Sequence, residues 1–172
     1  MVLSACKPEK GEFRRDSVAD KAQLMLISSP ILLWALWRLA RIDLAERRLP
    51  NRLTLPLVAA GLLLAALREA AVPWDEIAAA ALGYALLALL GEAYWRMRQI
   101  EGLGLGDAKL FAAAGAWLGL AALPWVLLIA SLGALIGVAA GLTRTEGGIA
   151  FGPWLAGAFA ALHLARLVGY GP

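Results

Sequence analysis

The sequence predicts an all-α membrane protein, polytopic, a bundle of about six transmembrane helices. Three observations predict it. Of 172 residues, 61% are hydrophobic, where soluble domains run nearer half, and the mean hydropathy is +0.71. The apolar residues fall in blocks, as membrane segments require. The Lys and Arg residues cluster in short segments between the blocks, the signature of membrane topology. The formal charge of +3 is therefore read as a topology signal, and no nucleic-acid partner is expected. The length suits one membrane-embedded unit, residues 24–170, behind a polar tail, residues 1–23.

The tail mixes Lys7, Lys10, Arg14, Arg15 and Lys21 with Glu9, Glu12, Asp16 and Asp20. The first helix is expected over 24–40, where Arg38 is the one charge and its long stem can reach the interface. The second and third are expected over 53–67 and 77–91, joined at Pro73-Trp74-Asp75. A span needs about 20 residues, so flanking residues must complete these cores. The next run, 110–142, carries no charge. As one helix it would be about 50 Å long, against a hydrocarbon core of about 30 Å. Pro124, with Gly119 nearby, is the natural break, giving helices over 108–121 and 124–142. A last helix is expected over 149–168. Gly133, Gly137 and Gly141 are spaced by four, a pattern that lets helix backbones approach closely in lipid; packing inside the bundle is the reading taken.

Counting crossings places the basic segments. Arg41, Arg47, Arg48 and Arg52 lie between the first two helices, and Arg96, Arg98 and Lys109 between the third and fourth. Two crossings separate them, so they share a face, as does Arg144. The positive-inside rule makes that face cytoplasmic.

Asp43 and Asp107 fall on the same face, each at a helix end. An acid at the lip of a membrane segment is costly and needs a partner. Two carboxylates suit peptide hydrolysis, which needs one base to activate water and one acid to protonate the developing oxygens and leaving amine. Neighbouring carboxylates resist double ionisation and share a proton, so one group serves each role. Gly102, Gly104 and Gly106 precede Asp107 and permit close approach by a substrate. Asp107 is expected to open a helix, where backbone N–H groups favour its charged form. Pro50 and Asn51 are expected to set up the second helix. Lys109 is assigned to anionic groups or an acidic substrate side chain.

Each residue also has a plainer reading. A lone Asp at a helix start is usually an N-cap. Gly-x-Gly-x-Gly without a preceding strand is usually a loop rather than a nucleotide fingerprint. Glu69, Asp75 and Glu76 read as solvated turn residues. His163, the one histidine, reads as a hydrogen-bonded bundle residue. Cys6 is the one cysteine, which excludes an internal disulfide and a four-cysteine zinc site; no metal is expected. A transporter or channel using Asp43 and Asp107 as ion or proton sites is the alternative. A non-enzymatic assembly factor is a third reading.

Two signatures together resemble the type IV prepilin peptidases, within the GxGD membrane aspartic proteases. The first is an aspartate followed by Arg-x-Pro-Asn: Asp43, Arg48, Pro50 and Asn51. The second is Gly-x-Gly-Asp-x-Lys: Gly104, Gly106, Asp107 and Lys109. The segment 110–119 and Ala150-Phe151-Gly152-Pro153 are also similar, so the resemblance runs over about 38–168. It implies that Asp43 and Asp107 are the catalytic pair, with Arg48, Pro50, Asn51, Gly104, Gly106 and Lys109 shaping the site. It implies prepilin or pseudopilin substrates, cleaved after a short basic leader at the cytoplasmic face of the bacterial plasma membrane. Glu46, Glu101 and Glu146 are candidates to attract that leader. Longer members carry paired CxxC motifs associated with zinc and N-methylation. With one cysteine and a short tail, the expectation is a short form with no zinc, no S-adenosylmethionine and no methyltransferase activity.

Overall fold

The computed structural model describes residues 10–46, 49–69, 71–98, 104–141 and 150–169, with side chains from residue 23 onward apart from that of Arg98. Among the described residues the chain is helical, with no strand: α1 (Lys10–Glu46), α2 (Asn51–Glu69), α3 (Trp74–Arg98), α4 (Leu105–Leu118), α5 (Leu123–Ala139) and α6 (Gly152–Leu167), with a 3₁₀ turn, Leu120–Ala122, before α5. Among the described residues, four helical stretches are long and apolar enough to cross a membrane: Gln23–Glu46, Asn51–Glu69, Trp74–Met97 and Leu120–Ala139. α4 has 14 residues, about 21 Å at the standard rise, shorter than the bilayer's hydrocarbon core.

The expected break in the uncharged run lies at Gly119. Gly119 ends α4 with φ +71°, a conformation open to glycine, and Pro124 follows in the first turn of α5, where its missing N–H costs nothing. Other boundaries differ from expectation. α1 begins at Lys10, inside the segment assigned to the tail, and continues past Ala40 to Glu46. α3 carries on through Glu92, Arg96 and Arg98. Charge does not end a helix that has left the hydrocarbon, and Arg96 donates to Glu92 at 2.8 Å one turn back.

α4 is the centre of the bundle, packed by α3, α2 and α6. From Leu110 to Leu118 every residue is buried. Its run of alanines and Gly115 gives it a narrow body, so neighbouring backbones come close. A methyl group on Gly115 would lie 2.6 Å from the Ala79 carbonyl oxygen of α3. On another side Trp117 lies over Gly61 of α2 and its indole N–H donates to the Leu57 carbonyl at 2.9 Å.

The outer pairs use polar and aromatic keys. Ser29 Oγ of α1 and His163 Nε2 of α6 share a hydrogen bond of 2.9 Å, and Trp117 meets the His163 ring edge-on at 5.8 Å. His163 is thus the bundle residue expected. The glycines of α5 form an intrachain groove: Trp154 of α6 lies against Gly133 and Gly137. Glu76, read as solvated, is half-buried and lies in the field of Arg68 and Arg166. On the exposed face of α1, Arg38 stacks over Trp34 at 5.6 Å and Arg41 over Trp37 at 5.0 Å, the amphipathic pairing found where a helix meets the membrane interface.

Candidate active site

One end of the bundle collects the last turn of α1 and the first turns of α2, α4 and α6. α1 packs inward through Leu32, Leu36 and Leu39, all buried. Spacing of three to four residues keeps such positions on one face, and the next position on that stripe is Asp43. Its side chain is therefore carried inward by the leucines behind it, and the residue is 6% exposed. Asp107 is 8% exposed. It is the third residue of α4, and the N-cap is Gly104, without a side-chain cap bond. Asp107 is accordingly not the helix cap that a lone Asp at such a place usually is.

The two carboxylates meet at α6. A methyl group built on Gly152 would lie 2.5 Å from Asp43 Oδ2, 2.9 Å from Asp43 Cγ and 3.3 Å from Asp107 Oδ1. The two oxygens are therefore no more than about 6 Å apart, within the range over which one charge shifts another's titration.

Burial and this neighbour decide the protonation of Asp107, which lies outside the four long spans. Its pKa is raised from 3.8 to about 7, first by burial and second by Asp43; a backbone hydrogen bond from Gly104 opposes both. The backbone at the helix start does favour the anion, but removal from water and the neighbouring carboxylate outweigh it.

The two motifs are tied twice more. Lys109 Nζ donates to Asn51 Oδ1 at 2.7 Å, so the lysine assigned to substrate anions braces the start of α2. Leu49 sits on Gly106, where a methyl group would lie 2.7 Å from Leu49 Cβ. Gly106 is required by close approach. Gly104 is not: its φ of −76° suits any residue, and a Cβ there meets nothing nearer than 3.8 Å. Pro50 does set up α2, its carbonyl accepting from the N–H of Leu53 at 3.0 Å and of Thr54 at 3.3 Å. Arg48, Gly102, Glu101 and Glu146 lie outside the described residues; Glu46 is exposed at the end of α1. Gly152 is a residue at the pair that sequence reasoning did not select, and Leu49 was read only as part of Leu49-Pro50-Asn51, ending the loop before the second helix. Gly152 was visible only inside Ala150–Pro153, and nothing in a Gly-Pro at a helix start announces carboxylates against it.

A model of the type IV leader peptidase family matches residues 30–142. The chain is 43% identical over 137 residues to a prepilin leader peptidase/N-methyltransferase of Aeromonas salmonicida (strain A449), covering 76% of this chain and 46% of that protein. It is 45% identical over 121 residues to the protein of the same name from Escherichia coli (strain K12), covering 69% and 54%. It is 43% identical over 137 residues to that of Burkholderia pseudomallei (strain K96243), covering 74% and 42%. The chain spans about half the length of the curated relatives it matches. No solved structure matches it.

Proposed function

Because the chain belongs to the type IV leader peptidase family, we propose that it is a membrane aspartic endopeptidase that removes the leader from prepilins or pseudopilins. Residues 24–170 are the peptidase unit, in a bacterial plasma membrane, with the site facing the cytoplasm. The carrying observation is the convergence of Asp43 and Asp107, one from each motif, on Gly152.

Of the pair, we assign the shared proton to Asp107, the carboxyl that burial and its neighbour raise, and the role of base to Asp43. Asp43 takes a proton from water as its oxygen attacks the scissile carbonyl carbon. Asp107 gives its proton to the carbonyl oxygen, forming a neutral tetrahedral diol. Asp43 returns a proton to the leaving nitrogen while Asp107 recovers one from the diol. The C–N bond breaks to a carboxylic acid and an amine. Both carboxyls end as they began, and the balance is one water consumed per peptide bond. The pair titrates as a unit.

The transporter alternative is disfavoured because the acids sit together at one end of the bundle rather than along a path through it. We assign to this chain the peptidase step and not the methyl transfer that the relatives' names also carry. The test is cleavage of a prepilin by the purified chain in liposomes. Cleavage after the basic leader, giving an unmethylated product when S-adenosylmethionine is present, is expected. A folded chain that cleaves none of several prepilins or pseudopilins overturns the reading.

A pH dependence follows. A carboxyl raised to about 7 keeps its proton below that value and loses it above. kcat/KM should therefore fall on the alkaline side with a midpoint near 7, approaching tenfold per pH unit. Initial rates at substrate well below KM from about pH 5 to about pH 9 check this. A kcat/KM constant to the upper end excludes Asp107 as the acid.

A further inference from the structure

Gly152 is held where it stands by its own helix. Pro153 follows it and fixes the backbone. The Phe151 carbonyl accepts from the N–H groups of Trp154 and Leu155, both at 3.1 Å. Trp154 then keys α6 onto α5: a methyl group on Gly133 would lie 2.6 Å from its ring, and one on Gly137 closer still. The first turn of α6 thus cannot retreat without lifting a half-buried indole out of its groove. On the other side, Asp43 continues the buried leucine stripe of α1, so its backbone cannot move freely either. Between these two fixed bodies the contact is bare Cα against carboxylate.

We propose that Gly152 is the positioning residue of the aspartate pair: its missing side chain lets Asp43 lie against α6 and within reach of Asp107. Any Cβ at 152 meets Asp43 Oδ2 at 2.5 Å and Cγ at 2.9 Å, closer than non-bonded atoms tolerate. The lower-cost relief is rotation of the short Asp43 side chain, which takes its carboxylate out of register with Asp107. The inference rests on reading Asp43 and Asp107 as the hydrolytic pair, but the steric claim stands apart from it.

The experiment has a kinetic and a thermodynamic arm. In the first, Gly152→Ala is compared with Gly157→Ala, the same change on the same helix at a position with nothing within 4 Å. Gly152→Ala should lose about 10²-fold in kcat, the scale of an ångström-sized misplacement, with KM within about twofold; Gly157→Ala should match the parent chain. In the second, melting temperatures are compared for Gly152→Ala alone and in an Asp43→Ala background. The penalty of the glycine change should vanish when the carboxylate is gone, the non-additivity expected of two groups in contact. If Gly152→Ala alone does not fold, recovery of folding in the Asp43→Ala/Gly152→Ala chain gives the same result. Unchanged kcat in Gly152→Ala, or a penalty that persists in the Asp43→Ala background, overturns the proposal. If the parent chain cleaves no prepilin, the functional reading fails, and the thermal arm alone decides for or against the steric claim.

Discussion

Asp43→Asn and Asp107→Asn are each expected to abolish leader cleavage, by about 10³-fold or more, in chains that still fold. Asparagine keeps the shape of aspartate and removes its ability to exchange a proton. General acid–base catalysis contributes about 10² to 10⁴, and groups that act as a unit are not additive, so either change alone should cost nearly as much as both. The two variants should differ in stability. An acid raised from 3.8 to about 7 by burial binds its proton more tightly folded than unfolded. Stability is therefore lost as pH rises between those values, and above 7 the buried charge is carried at full cost. Asp107→Asn removes that cost, by up to about 4 kcal/mol, and should melt above the parent chain at pH 8 while being inactive. Cleavage rates and melting temperatures on the same preparations test both halves. Substantial cleavage by either variant removes the two-aspartate mechanism.

The features legible in the sequence are those set by local chemistry. An uncharged run too long for one span had to break, and Gly119 and Pro124 are the residues that permit it. The aspartates stood out because charge is costly beside apolar runs, and the structure does bring Asp43 and Asp107 together. Helix ends were less legible. The apolar cores of α1 and α3 mark what lies in hydrocarbon, whereas the helices continue into water, where charged residues are no hindrance. Most other non-local contacts were not legible. Gly104 and Gly106 look alike in the motif, yet only Gly106 carries a neighbour, Leu49, pressed on its Cα. Lys109 looked free for substrate, yet it donates to Asn51. Which aspartate would hold the proton was not legible for the same reason: the helix start is visible locally, while the burial that outweighs it at Asp107 is supplied by distant segments.

Gly115→Val is expected to damage the fold, and through the fold the site. A Cβ at 115 would lie 2.6 Å from Ala79 O, 2.7 Å from Ala79 C and 2.9 Å from Ala80 N. All three are backbone atoms of α3, so no side-chain rotation relieves the clash; one helix must move off the other. Overpacking of this kind costs about 3 kcal/mol at its upper usual range, which corresponds to about 10 °C in melting temperature for a chain of this size. Gly83, on the facing helix, is the natural contrast. A Cβ there stays 3.3 Å from Phe111 O and 3.4 Å from a Leu123 methyl, so Gly83→Ala should melt within a few degrees of the parent chain. Melting of the two variants in one detergent separates the cases, and a Gly115→Val chain as stable as the parent chain contradicts the α3–α4 contact. Activity should fall with stability in Gly115→Val, because α4 carries Asp107 and any step away from α3 shifts that carboxylate relative to Asp43. That coupling separates the pedestal from the chemistry: Asp107→Asn should be stable and inactive, whereas Gly115→Val should lose both properties together.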